Sequence, residues 1–324
     1  MLRLECKILI ADGFVFNYAN LIEIEESSED LTVKCTIRFP KKNGVEENEI
    51  VNGTSPLFKR GDRVQVYMGY FPELKKAFDG FISDVALRYP MEIKCEDGMF
   101  TLKQTPARKF TGENVTLRQL LTAILPAGYV FNTIDANVGD WRVSGNAVVT
   151  NVLDELRSNH AIYSRFVEGV LYVGLYYQPE LQNTETFYFE KNIINCDNLD
   201  YQLKENVKVK VKVNAFRSDN KKVVPYEIGD LDGDLRTINL YNVPAADVEA
   251  IALKEIDRLK YTGYKGDFET FGEPFVRPGD AAKLISTLLP ERNGTYLINS
   301  VTRSWGVEGY RQTIGIDAIL NTTT

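Results

Sequence analysis

With 324 residues, 44% of them hydrophobic and 26% charged, the chain has the usage of an ordinary soluble protein and length for two or three domains, which excludes disorder. A net charge of -7 lacks the basic footprint that phosphate contacts need, so no specific nucleic-acid binding is expected. No stretch reaches the roughly 18 uncharged apolar residues of a membrane span, so no membrane insertion is expected.

The N-terminus, Met1-Leu2-Arg3-Leu4-Glu5-Cys6-Lys7, alternates charged and apolar residues where a signal peptide would run continuously apolar. It reads as a first strand of a protein made in the cytoplasm. Period-two alternation continues through Leu4, Cys6, Ile8 and Ile10, then Ile22 and Ile24, and then Leu31, Val33, Cys35, Ile37 and Phe39. Val64 with Val66, and Met91, Ile93 and Cys95, extend it, each series burying one face of a strand. Turns at Asp12-Gly13, Asn43-Gly44, Asn52-Gly53 and Asp79-Gly80 break these into short strands, as in a barrel or sandwich. Cys6, Cys35 and Cys95 share the apolar phase, and no C-x-x-C pair occurs with them or with Cys196, so reduced buried thiols are expected.

Between about 108 and 200 the period changes. Thr116 with Gln119 forms a capping-box pattern ahead of Leu117, Leu120, Leu121 and Ile124, and Pro126 stops the helix. Val149, Val152, Leu153 and Leu156 predict a second helix from near Thr150, followed by a hairpin over Phe166 to Val173 with Glu168-Gly169 at its turn. From about 200 the alternation returns in Val207, Val209, Val211 and Val213. One longer helix then spans Ala245 to Lys260, with Val248, Ile251, Ala252, Ile256 and Leu259 on one face and Gly263 as its cap. Phe275 to Leu320 is strand again.

An internal repeat links the two ends. Gly61-Asp62, Ile82-x-x-Val85 and a strand ending at Asp97 are matched by Gly279-Asp280, Ile298-x-x-Val301 and a strand ending at Asp317. The expected architecture is mainly β with an α+β insert: two related β-barrels at 1 to 107 and 201 to 324, flanking a small mixed α/β domain at 108 to 200.

With its helix of Ala and Glu residues, Gly272-Glu273-Pro274, Arg277-Pro278-Gly279-Asp280, Gly294-Thr295-Tyr296-Leu297-Ile298 and Gly309-Tyr310-Arg311-Gln312, the C-terminal third resembles the baseplate hub family of contractile phage tails. That family includes the late control protein D proteins and the hub portion of type VI secretion spike proteins. Gly61-Asp62 through Asp97 is similar to its first barrel, and Val152 to Leu156 with Leu171 to Gly174 to its middle domain. Where members often carry a His after the Ile-x-x-Val element, this chain has Arg303 and Trp305.

The resemblance implies a homotrimeric ring with two barrels per subunit, matching a sixfold tail tube on one side and a threefold spike on the other. The partners would be a tail tube protein and a separate spike protein, since no repetitive β region follows Thr324. Assembly would begin in the bacterial cytoplasm and end in the virion tail or a tail-like particle, and an acidic axial channel would let DNA slide past.

No enzyme site, cofactor site or metal site is expected. His160 is the single histidine, which excludes multi-His metal sites, and no G-x-S-x-G elbow or nucleotide-binding glycine loop accompanies it. Its place at a helix end suits an imidazolium interacting with the dipole. Asp230, Asp232 and Asp234 imitate a calcium loop but put Leu235 and Tyr241 where an EF-hand needs Gly and Glu, so they read as a solvated acidic turn. Arg60-Gly61-Asp62 reads as turn chemistry, because its repeat partner is Pro278-Gly279-Asp280. Lys208, Lys210 and Lys212 read as a solvated face or as protection of a sheet edge. Two other functions stay open: a tail-associated wall-degrading enzyme using a pair among the 45 Asp and Glu, and a carbohydrate-binding adhesin using Trp141, Trp305 and the 17 tyrosines.

Overall fold

The computed structural model describes residues 3–11, 13–40, 51–52, 55–56, 58–86, 90–175, 182–216, 225–241 and 245–322. The turns at Asn43-Gly44 and, in part, at Asp12-Gly13 and Asn52-Gly53 lie outside them.

Alternating apolar residues build the N-terminal unit as the sequence predicts. Its principal strands are Leu4–Ile10, Leu21–Ser27, Lys34–Phe39, Arg63–Tyr70, Glu73–Ala86 and Met91–Glu96. Cys6, Ile8, Ile10, Ile22, Ile24, Cys35, Ile37, Val64, Val66 and Ile93 are buried in one core, while the residues between them face outward. Leu31 precedes its strand and packs against the middle unit instead.

The C-terminal unit is built from Thr184–Tyr188, the broken strand Ile193–Asn195 with Leu199–Gln202, Gly263–Phe271, Ala281–Ile285, Gly294–Gly306 and Gly309–Thr322. It therefore draws strands from the stretch that the sequence assigns to the middle region. If the six strands of each unit are counted in chain order, hydrogen-bonded neighbours run one, four, five, six, three, two in both. One feature differs. The first strand is antiparallel to the fourth in the N-terminal unit and parallel to it in the C-terminal unit.

The two units belong to a single 14-stranded sheet. Gly294–Gly306 outruns its partner Ala281–Ile285, and its second half, Ser300 to Gly306, pairs antiparallel with Leu21–Ser27. No ladder among the described residues closes either unit into a barrel. Among the described residues no ladder joins the two ends of the path, which are Phe14–Phe16 and Ile193–Asn195.

Between the units lies a mixed region with its own core, which includes Leu120, Leu121, Val152, Leu153, Leu156, Leu171 and Val173. Its helix Leu117–Ile124 starts in the expected capping box: Gln119 N–H donates to the Thr116 hydroxyl at 3.3 Å and Thr116 N–H donates to the Gln119 side chain at 2.9 Å. The second helix, Val149–His160, buries Val149, Val152, Leu153 and Leu156. The hairpin Tyr163–Val167 with Val170–Gly174 turns at Glu168 and Gly169, whose φ values of 50° and 84° allow the twist of a two-residue loop.

A fourth small core sits in the C-terminal third. Val209–Phe216 lies between Tyr226–Gly229 and Asp234–Tyr241, and helix Ala245–Leu259 packs on this sheet through Val248 and Ala252. Two readings need correction here, the edge alternative for the lysines, whose solvated-face alternative stands, and the cap at Gly263. The strand following Lys208 and carrying Lys210 and Lys212 is central, so these lysines guard no edge; Lys210 and Lys212 pair with Glu227 at 3.1 and 2.8 Å. Gly263 does not cap the helix, which ends four residues earlier, and opens the next strand in an extended conformation.

Candidate functional site

The repeat is legible atom by atom at its turns. In the first copy Lys59 N–H donates to the Asp62 carboxylate at 2.9 Å, and Asp62 N–H returns to the Lys59 carbonyl at 3.1 Å. In the second copy Arg277 N–H donates to the Asp280 carboxylate at 2.8 Å, and Asp280 N–H to the Arg277 carbonyl at 3.0 Å. Gly61 and Gly279 take φ of 92° and 97°, where a side chain is strained. Gly61 N–H reaches Ile82 and Gly279 N–H reaches Ile298, at 2.8 and 2.9 Å. Each Ile N–H returns to the Asp carbonyl at 2.9 Å. Both copies then slip register at the same place, between Ile82 and Asp84 and between Ile298 and Ser300.

The terminal Asp of the repeat does not correspond. Cys95 lies opposite Ile82 as Ile316 lies opposite Ile298, so Asp317 matches Glu96 rather than Asp97. The two aspartates also do different work. Asp97 is buried and accepts Met99 N–H at 3.1 Å, and burial raises its carboxyl to about 7. Asp317 takes Arg258 at 3.3 Å and, through its carbonyl, the Tyr261 hydroxyl at 2.8 Å.

The junction between the units holds the largest fully buried side chain, Arg303. Its guanidinium meets Glu26 of the N-terminal unit at 3.2 Å, donates to the Val276 carbonyl, and lies 4.2 Å from the centroid of the Phe275 ring. Gln312, also buried, donates to the Pro274 carbonyl at 2.6 Å. Nearer the surface, Lys75 pairs with Glu273 at 2.8 Å. Apolar groups cross the boundary too: Tyr310 is 1% exposed within the N-terminal core, with Phe275 and Trp305 packed against it. Arg303 and Trp305 stand where the family that the sequence resembles often has a His, yet alternation along the strand does not place Arg303 inside, because a charged residue there reads as solvent-facing. A fully buried arginine becomes intelligible only once Glu26 is known to lie across the ladder.

The other singled-out residues are not brought together. His160 stacks on Trp141 at 5.6 Å, and burial lowers its imidazole to about 4. It is therefore neutral near pH 7, and the expected imidazolium at the helix end is corrected by the cost of desolvating a charge. Trp141 is itself buried, donating to the Val138 carbonyl at 2.9 Å. Trp305 is half-buried, with one side packed against the N-terminal core, so Trp141 at least offers no stacking platform.

The Asp230 carboxylate accepts Val209 N–H at 2.9 Å and pairs with Lys260, while Asp232 pairs with Lys208. Among the described residues, no group of three or more His, Cys, Asp or Glu is placed to hold a metal. Cys35 and Cys95 face each other across neighbouring strands as free thiols, and burial raises both; Cys6 is raised to about 12, and Cys196 is exposed.

This fold, a duplicated sheet with a mixed insert, is shared with solved structures of tail proteins. Over nearly its whole length the chain superposes on the tail protein from Neisseria meningitidis MC58, with a TM-score of 0.67 at 11% identity, covering 97% of this chain and 96% of that one. The 43 kDa tail protein of prophage MuSo2 from Shewanella oneidensis gives 0.65 at 13% identity, covering 99% and 100%. The E. coli c3393 protein, a component of the type VI secretion system similar in structure to T4 bacteriophage tail proteins gp27 and gp5, gives 0.56 at 14% identity, covering 96% and 76%. No family model and no curated protein matches the chain.

Proposed function

We propose that this chain is a structural, non-enzymatic hub subunit of a phage tail or tail-like particle, joining the tail tube to a separate spike as a homotrimer. The observation that carries the reading is the duplication. Two units of one strand order, held in one sheet, give a threefold ring six similar positions, which is what a sixfold tube requires of a threefold adaptor. The likeness to tail proteins over 97% and 99% of the chain supports the structural part of the reading. In this reading the N-terminal unit spans Leu4 to Glu96, the middle domain Met99 to Gly174, and the C-terminal unit Thr184 to Thr322 with the Val209 to Leu259 insert.

Light scattering of the purified chain mixed with the tube and spike proteins of its particle tests the reading. A complex holding three copies of the chain supports it. Release of soluble fragments from peptidoglycan by the chain alone contradicts its non-enzymatic part.

A further inference from the structure

We infer that the chain carries, on two separate edges, both halves of the contact it makes internally, and that a second copy of this chain closes them. Internally, the fifth strand of the C-terminal unit extends past its fourth and pairs with the second strand of the N-terminal unit: Ser300 opposite Ser27, Val301 opposite Glu26, Thr302 opposite Glu25. Ser28 N–H then donates to the Asn299 carbonyl at 2.8 Å.

The repeat shows where the same contact is left open. In the N-terminal unit the fifth strand, Glu73–Ala86, is paired with the fourth only as far as Phe81, and with the sixth through Ala86. Beyond the shared register slip, Asp84, Val85 and Ala86 stand where Ser300, Val301 and Thr302 stand in the other copy. Among the described residues no strand covers their outer side. In the C-terminal unit the second strand, Leu199–Gln202, pairs among the described residues with Gly263–Phe271 alone. Leu199 lies opposite Gly266 and Gly266 opposite Ile316, as Ile24 lies opposite Cys35 and Cys35 opposite Cys95. Leu199 therefore matches Ile24, and Asp200, Tyr201 and Gln202 match Glu25, Glu26 and Ser27.

Carrying the internal register across gives the intermolecular one: Asp84 opposite Gln202, Val85 opposite Tyr201, and Ala86 opposite Asp200, antiparallel. An unpaired edge exposes backbone donors and acceptors that a complementary edge satisfies. A contact between unlike edges repeats head to tail, so it generates a ring where the rotation closes. Closure at three chains rests on the hub reading above; the edge register itself rests on the repeat.

The test is disulfide trapping in assembled particles carrying Asp84→Cys with Gln202→Cys, in a Cys196→Ser background that removes the one exposed native thiol. Directly opposed antiparallel residues place their Cβ atoms about 4.5–5.5 Å apart, close to disulfide reach. The expected result is covalent dimers and trimers under mild oxidant, with nothing larger and neither species in the single variants. Ser27→Cys with Ser300→Cys should form a bond within one chain and calibrates the trapping. Ala86→Cys with Asp200→Cys provides a second pair, should the first fail to assemble. Trimeric particles in which neither pair crosslinks overturn the edge pairing and leave the hub reading standing. Particles in which the chain is monomeric overturn both.

Discussion

In the C-terminal unit the core from Phe187 to Ile316 is filled by that unit's own side chains, whereas Tyr310, Phe275 and Trp305 of the C-terminal unit complete the core of the N-terminal one. The turns of the two copies match bond for bond, yet only one copy closes its interior without help. The difference lies in the long strand Gly294–Gly306, which serves its own sheet with its first half and the neighbouring sheet with its second. Duplication supplied two similar modules, and the joint between them made one dependent on the other. The buried Arg303 pair with Glu26 fixes the register of that joint, because a slip of one residue would bring the guanidinium to the wrong face of the ladder.

The largest effect is expected from breaking the joint. Arg303→Ala leaves the Glu26 carboxylate facing a low-dielectric boundary without its partner and should cost about 3–5 kcal/mol in chemical denaturation. Replacing both residues with leucine should recover much of that loss, and a double-mutant cycle measures the difference. Tyr310→Ala comes next, at about 3 kcal/mol for a buried aromatic removed from a core. Its loss should appear in hydrogen exchange of strands Leu4–Ile10 and Arg63–Tyr70, which the residue serves across the boundary. Phe268→Ala, in the self-contained core, should loosen the C-terminal strands first.

Gly61→Ala and Gly279→Ala sharpen the comparison from the other side. Both positions hold positive φ with the same hydrogen bonds, so each should cost about 1–2 kcal/mol, and by similar amounts. Unequal costs would show that the two turns carry different strain. Thr116→Ala, in the middle region outside the repeat, should remove one capping bond for about 1 kcal/mol.

The smallest net effect is on pH dependence, because two shifted groups oppose each other. Asp97 is raised from 3.8 to about 7, so the stability it contributes is full below pH 3.8 and lost as pH rises towards 7. His160 is lowered from 6.5 to about 4, so its contribution is full above pH 6.5 and lost as pH falls towards 4. Between pH 4 and 6.5 the two slopes offset. Asp97→Asn should leave melting temperature rising with pH across that window, and His160→Phe should leave it falling.

Much of this fold is written locally in the sequence. Gly61-Asp62 and Gly279-Asp280 announce their turns because glycine alone relaxes at positive φ and an Asx carboxylate captures a nearby backbone N–H. Thr116 and Gln119 announce their helix for the same kind of reason. The joint is not written locally. Its ladder pairs Leu21–Ser27 with residues near the other end of the chain, its key side chain is charged, and Tyr310 and Trp305 read as members of their own strand until the neighbouring core is seen. The parallel strand Thr184–Tyr188 was hidden as well, since alternation marks a strand without naming its partner. The acidic turn shows the converse: Asp230 and Asp232 draw the eye as a metal pattern, and lysines already hold them.

Cryo-electron microscopy of the assembled particle tests the central claim most directly. The account predicts three copies of this chain around the axis between tube and spike, giving six related sheet units whose boundaries alternate between the intramolecular joint at Arg303 and an intermolecular joint of the same register. A single copy, a position away from the axis, or a ring whose six boundaries share no common strand pairing would contradict it.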